Sequence, residues 1–171
     1  MRRALLFCLL AGCSYHWGPP PSLPLVSVPY IAGDREGTLT TELIHALAVS
    51  GVAQVGNEAS YVLEARIVSQ ESETIGALDG EDAEERMRWK VEVALRDAKS
   101  GEAVFGPTEI EASIDYDYLS GKELAHAGEI SSFSLGQLGI RTEAKRAATP
   151  GMEAEVARKI VDLLFRSWYI E

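Results

Sequence analysis

Apolar and charged residues alternate through the run Met87-Arg88-Trp89-Lys90-Val91-Glu92-Val93-Ala94-Leu95. Successive side chains of a β-strand point to opposite faces of its sheet, so this period of two predicts a strand with one apolar and one charged face. An apolar sheet face has to be covered by another layer. We therefore expect Trp89, Val91 and Val93 to face helices.

Two neighbouring runs repeat this alternation. Residues 61–69 place Tyr61, Leu63, Ala65 and Ile67 on one face. A turn predicted at residues 97–101 returns the chain to Phe105 and then to the alternating run from Ile110 to Tyr116. Gly106-Pro107 interrupts this last run and indicates a β-bulge.

A fourth strand is predicted near the start, at residues 25–31, where Val26, Val28 and Tyr30 alternate with Ser27 and Pro29. Proline cannot donate a ladder hydrogen bond, so Pro29 indicates either an edge strand or a strand end.

Two helices are expected to cover the sheet. Thr38 is a plausible N-cap for a helix to Ser50, which Gly51 ends. Thr149 and Pro150 suit the N-cap and first position of a C-terminal helix. Each helix carries an apolar stripe, formed by Leu39, Leu43, Ala46 and Leu47 in the first and by Val156, Ile160, Leu163, Leu164 and Trp168 in the second.

The segment from Lys122 to Ala148 has no clear period. Phe133, Leu135 and Leu138 suggest a short extended piece, and residues 142–148 suggest one or two helical turns. The predicted fold is therefore α+β, a two-layer sandwich in the order βαβββα, with two helices packed on one face of a four-stranded sheet. Residues 25–171 are assigned to this single domain.

The N-terminus carries Leu10-Ala11-Gly12-Cys13 behind a cationic pair and a short apolar run. This layout indicates a secretory signal over residues 1–12 and resembles the lipobox of bacterial lipoproteins. The resemblance implies that Cys13 is the lipid attachment site, carrying diacylglycerol and an N-acyl chain. We expect no other cofactor. The alternatives are an ordinary signal peptide, or an N-terminal core helix with a chance cysteine.

Residues 13–24 follow as the acylated cysteine and a proline-rich, semi-rigid tether. In lipoproteins of two-membrane bacteria an aspartate after the cysteine usually retains the protein at the inner membrane. Ser14 therefore favours a lipid-anchored, periplasm-facing position at the outer membrane.

Composition excludes several function classes. The formal charge is -10, which becomes -12 without Arg2 and Arg3, and this disfavours a generic nucleic-acid binder. Cys8 lies in the signal and Cys13 is consumed by lipid, so no disulfide or thiolate metal site is expected. The chain also shows no catalytic motif, and we predict that it is not an enzyme.

Two other groups of residues, the histidines and an acidic run, are not assigned to a functional site. The three histidines, His16, His45 and His126, are scattered over a spacer, a helix and a loop. The acidic run from Asp79 to Glu85 lacks calcium-loop spacing. It is interpreted as a solvated hairpin loop, and no metal site is predicted.

Most of the mature chain resembles the LptE-type lipopolysaccharide-assembly lipoproteins of Gram-negative outer membranes. The resemblance rests on Cys13-Ser14-Tyr15-His16, Val26-Ser27-Val28-Pro29, Tyr61-Val62-Leu63-Glu64-Ala65, the hairpin from Val91 to Asp97 ending in Ser100-Gly101-Glu102, and the helix Ala157 to Leu164. It implies two helices on a four-stranded sheet. It also implies a plug in the large β-barrel LptD that helps the barrel assemble and assists lipopolysaccharide delivery.

Lipopolysaccharide is polyanionic, so its contacts call for cations. The candidates lie on the two central strands or the loop between them: Arg66, Arg86, Arg88 and Lys90. The alternative is that these side chains pair across strands with Glu64, Glu109 and Glu111. For the whole protein, the rival function is activation of a cell-wall synthase by a periplasmic lipoprotein, although such activators usually have much longer tethers.

Overall fold

The computed structural model describes residues 23–56, 58–78, 82–119 and 133–169. These form five strands and two helices. In chain order they are β1 (Leu25–Ser27), α1 (Thr38–Ser50), β2 (Gln54–Val55), β3 (Tyr61–Leu78), β4 (Asp82–Asp97), β5 (Ala103–Leu119) and α2 (Phe133–Tyr169).

The sheet is mixed, and its strands lie in the order β2-β1-β3-β4-β5. β1 runs parallel to β2 and β3, whereas β3, β4 and β5 form a long antiparallel meander. The predicted α+β class is confirmed, but the predicted count of four strands is wrong. The missed strand, Gln54–Val55, has only two residues and is too short to show a period of two.

The first strand is shorter than predicted. β1 ends at Ser27, two residues before Pro29, and it lies between β2 and β3 rather than at an edge. Of the two interpretations of Pro29, the strand end is therefore the correct one. Beyond it, Ile31 is fully buried, and Ala32 forms a single parallel bridge to Arg66 of β3.

Helix α1 ends at Ser50 as predicted but begins one residue earlier, because Thr38 is its first residue and not its N-cap. The N-cap is Gly37, which adopts a left-handed conformation and has no side chain to accept a bond. Asp34 caps the helix instead, because its carboxylate accepts hydrogen bonds from the backbone N–H groups of Gly37 at 3.0 Å and Thr40 at 2.8 Å. Gly51, also left-handed, ends the helix as expected.

Helix α2 is one continuous helix of 37 residues, and Pro150 lies inside it. The prediction of an N-cap at Thr149 is wrong, because the Thr149 hydroxyl donates to the carbonyl of Lys145 at 2.9 Å, as threonines inside helices do. The extended piece expected at Phe133 to Leu138 is wrong as well. Tertiary packing explains why the proline is tolerated: Ala144 and Ala148 before it and Met152 after it all pack on the core.

The core lies between the sheet and the helices. Trp89 is 6% exposed, and Val91 and Val93 are fully buried with Leu39, Leu43, Leu47, Val156, Ile160 and Leu164. The predicted orientation of β4 is therefore confirmed. The bulge at Gly106 is confirmed too, since the β4–β5 register shifts there and a Cβ on Gly106 would lie 2.6 Å from the carbonyl oxygen of Val93.

The acidic run is only partly a loop. Residues 79–81 lie outside the described residues, but Asp82 to Glu85 belong to β4. Glu85 is fully buried, so its interpretation as a solvated loop residue is wrong. Its side chain points to the helix side because Glu85 lies two residues before the buried Met87, and alternate residues of a strand share a face.

Candidate functional site

The face of β3, β4 and β5 turned away from the helices is strongly charged, and we call it the outer face. Its described side chains include five cations, Arg66, Arg86, Arg88, Lys90 and Arg96, and nine carboxylates, Glu64, Glu71, Glu73, Glu84, Glu92, Glu109, Glu111, Asp115 and Asp117. The long antiparallel register aligns them in three rows, one on each strand. Carboxylates outnumber cations, so the face as a whole is acidic.

The four cations predicted from the sequence come together on this face, and each has a carboxylate partner. Arg86 makes two hydrogen bonds to Asp115, at 2.7 and 2.8 Å. Arg88 bridges Glu73 and Glu111 at 2.9 and 3.0 Å. The remaining two pairs are Arg66–Glu92 at 3.1 Å and Lys90–Glu109 at 3.7 Å.

Cross-strand pairing, the alternative interpretation of these bases, thus describes the geometry. Glu109 and Glu111 are partners as expected, whereas Glu64 pairs with Arg96 at 2.8 Å instead of with one of the four. The hydrogen bonds between Arg86 and Asp115 lower the pKa of the Asp115 carboxyl and raise the pKa of the Arg86 guanidinium. Both side chains are more than a third exposed, so solvent weakens each such pair.

Two shallow depressions lie on the outer face. One, of about 300 Å³, is lined by Glu71, Ser72, Glu73, Arg86 and Arg88. The other, of about 420 Å³, lies near β1 between the Arg66–Glu92 and Arg96–Glu64 pairs, with Tyr30 at its side. Each depression has charges of both signs around it, so an anionic group entering it would compete with carboxylates for the cations.

Beneath the outer face, the helix side of the meander holds a polar cluster that the sequence did not reveal. Glu85 accepts a hydrogen bond from the Tyr116 hydroxyl at 2.5 Å. It also forms an ion pair with Arg141 of α2 at 2.6 Å. Burial and the neighbouring carboxylate raise the pKa of Tyr116 to about 12. Because Glu85 is buried, these partners take the place of water around its charge.

The described residues contain no group of three His, Cys, Asp or Glu side chains arranged to hold a metal ion. His45 lies exposed on α1, while Cys13, His16 and His126 fall outside the described residues. In the described ranges neither helix has an apolar window long enough to cross a bilayer.

The sequence matches one protein family, described as LptE, lipopolysaccharide-assembly, over residues 23–166. The match begins just before β1 and ends inside α2, so it includes every strand of the sheet. This chain belongs to the LptE family. No curated protein matches its sequence significantly.

Solved structures share the fold of this chain at low sequence identity. A minor lipoprotein from Acinetobacter baumannii is 14% identical, with a TM-score of 0.52 over 85% of this chain and 92% of that one. Lipoprotein B from Nitrosomonas europaea is 16% identical, with a TM-score of 0.51 over 81% and 80%. A protein from Xanthomonas campestris is 14% identical, with a TM-score of 0.52 over 89% of both chains.

Proposed function

We propose that this chain is an outer-membrane lipoprotein that binds and plugs an LptD-like β-barrel and assists lipopolysaccharide assembly. The observation that carries the proposal is the family match over residues 23–166, because it extends over the sheet and most of α2 rather than one short motif. The described fold supports it, since a two-layer domain with a packed core is a suitable body to fill a wide pore.

The outer face supports the plug by its chemistry. The interior of a large barrel is polar, so a surface that fills it has to satisfy charged and hydrogen-bonding groups. On this face the cations already have carboxylate partners within the protein. The face can therefore enter a polar lumen without leaving its cations unpaired, and its excess of carboxylates favours a lumen wall rich in Lys and Arg.

The anchor is the second part of the proposal. Acyl chains on Cys13 would retain the protein at the membrane, since a buried CH₂ contributes about 0.8 kcal/mol. The tether from Ser14 to Pro24, extended at about 3.1 Å per residue, reaches roughly 34 Å at most. That reach suits a partner in the same membrane. Intact-mass analysis of the membrane fraction should show a mature species that begins at acylated Cys13, and retained Met1 or a free thiol would contradict the anchor.

Lipopolysaccharide contacts are proposed at Arg66, Arg86, Arg88 and Lys90. Their carboxylate partners compete with any phosphoryl group, so binding requires a cation to exchange its partner. Arg88 allows a paired test, because Glu73→Gln removes one competitor while Arg88→Gln removes the cation. The full chain with Glu73→Gln should bind lipopolysaccharide more tightly than wild type, and with Arg88→Gln more weakly. Equal binding by both variants would show that Arg88 does not contact lipopolysaccharide.

The deciding experiment for the partner is affinity purification of the tagged, acylated protein from detergent-solubilised envelopes. Recovery of a large β-barrel in stoichiometric amount supports the plug. Cys13→Ser should leave the domain intact but sharply reduce recovery, because the unanchored protein is no longer concentrated at the membrane. Recovery of a penicillin-binding protein without a barrel would instead favour the cell-wall activator.

A further inference from the structure

β5 is the last strand of the sheet, and its far side has no strand neighbour among the described residues. Its register with β4 is continuous from Thr108 to Leu119. In an antiparallel strand both backbone groups of every second residue point to the same side. An edge of this length is a template on which another chain can add a strand.

One side-chain contact shows which residues of β5 face the open side. The ammonium group of Lys159 on α2 donates to the backbone carbonyl of Glu111 at 2.7 Å, so that carbonyl is free of the β4 ladder. By the alternation of the strand, the backbone groups of Glu109, Ser113 and Asp115 face the same open side. Lys159 thus occupies one acceptor at the middle of the edge.

The surroundings of the edge differ on its two faces. On the outer face, the row Glu109, Glu111, Asp115 and Asp117 would lie beside alternate side chains of an added strand. The first three already pair with cations of β4, but each stays more than a third exposed and so remains open to a second cation. On the other face, a groove of about 390 Å³ runs between β5 and α2, and its lining combines Ile110 and Leu163 with charged side chains of both signs: Glu111, Arg158, Lys159, Asp162 and Arg166. The added strand would therefore place one set of side chains beside exposed carboxylates and the other beside a groove of mixed charge.

We propose that the β5 edge from Glu109 to Asp117 binds an extended polypeptide segment in which Lys or Arg alternates with uncharged residues. Charge complementarity selects this occupant: basic side chains face the acidic row, while uncharged ones meet no like charge in the groove of mixed charge. A second copy of this chain is disfavoured, because pairing β5 with itself sets two acidic rows against each other. The proposal goes beyond the plug and does not depend on it.

The probe is an acetylated nine-residue peptide of alternating lysine and valine, added to the full-length acylated protein in a neutral detergent. Hydrogen exchange followed by mass spectrometry should show slower exchange of amides within residues 109–117. A peptide of equal charge with alternate backbone nitrogens methylated should bind at least about tenfold more weakly, because it lacks the donors for a ladder. Equal binding by both peptides would overturn the proposal, since attraction between net charges would then suffice.

Two variants test the edge from the protein side. Ser113 is exposed, and its N–H faces the open side, so Ser113→Pro removes an edge donor while leaving the β4 ladder in place. It should weaken peptide binding to the level of the methylated peptide. Lys159→Met frees the Glu111 carbonyl and should tighten binding by about twofold to tenfold, the equivalent of one hydrogen bond. Protection located outside β5, or unchanged affinity in Lys159→Met, would contradict the assignment.

Discussion

The two ends of the long meander have different interiors. Near the turn at residues 97–101, the side chains under the sheet are aliphatic: Leu63, Val91, Val93 and Leu95 are all fully buried. At the far end, the positions directed to the helix side include Ser72, Glu85 and Tyr116, and a bulge at Val68 separates the two patterns on β3. We call these the base and the tip.

The difference shows two ways to fill the same layer. In the base, packing alone is sufficient, because apolar side chains need no specific partner. In the tip, a buried carboxylate requires hydrogen bonds and a counter-charge, which Tyr116 and Arg141 supply. The first half of α2 is thus held on the sheet by a specific contact in addition to the packing of Ala144 and Ala148.

Loss of volume should cost most in the apolar core at Trp89, where the base meets the tip. Trp89→Ala is expected to lower the free energy of unfolding by about 3 to 5 kcal/mol, because it leaves a cavity where a large aromatic ring is buried. Urea unfolding measures this directly. Val104→Ala, at a half-exposed position of β5, is the control and should change stability little. An unchanged midpoint for Trp89→Ala would show that β4 is wrongly oriented.

The polar tip should make the free energy of unfolding fall at high pH. The folded pKa of Tyr116 is raised to about 12, above its ordinary value near 10, so the native state keeps a proton that the unfolded chain loses. This stability is present below pH 10 and is lost as pH rises toward 12, by roughly 2 to 3 kcal/mol. Ultraviolet titration should show one tyrosine ionising late. If Tyr116→Phe retains that late component, the assignment is wrong.

A smaller effect is expected from removing the buried charge alone. Glu85→Gln keeps the shape and an acceptor for Tyr116 but gives up the ion pair with Arg141. The expected loss is about 1 to 2 kcal/mol, near the lower end for hydrogen bonds to charged groups, because Arg141 is half exposed and solvent weakens its pair with Glu85. Proteolysis should then cleave α2 faster before Pro150 than after it. Equal rates in the two halves would mean that the tip contact does not hold α2.

The smallest loss of stability is expected from breaking an ion pair on the outer face. Arg86→Gln breaks an exposed pair with Asp115 and should cost less than about 1 kcal/mol. A double-mutant cycle with Asp115→Asn isolates the coupling, and the coupling should weaken in high salt. Arg146→Gln, at an exposed cation of α2 for which the described residues show no ion pair, provides the control. A coupling well above 1 kcal/mol would make the outer face part of the stability of the fold.

The same comparison shows what the sequence could predict. The base follows a strict period of two, so its strands, the orientation of Trp89 and the bulge at Gly106 were all predictable. The tip was not, because the bulge at Val68 shifts the alternation of β3 and a buried Glu85 looks like part of an acidic loop. Pro150 likewise suggested a helix start, since local signals do not show the packing that carries α2 through it.

For the candidate site, the four cations were found from the pattern but their partners were only partly found. The turn at residues 97–101 fixes the β4–β5 register, which explains why Glu109 and Glu111 were foreseen. Glu64 was expected to pair with one of the four cations but pairs with Arg96, while Arg66 pairs with Glu92, its direct neighbour across the strands. The Lys159 contact to the Glu111 backbone carried no sequence signal, because it joins residues 48 positions apart.

Site-specific photo-cross-linking in living cells tests the proposed plug most directly. A photoreactive amino acid at Lys90, in the centre of the outer face, is compared with one at Val49, which is 72% exposed on α1. The account predicts an adduct between position 90 and a large outer-membrane β-barrel. No barrel adduct from position 90, or an adduct with a cell-wall synthase instead, would contradict it.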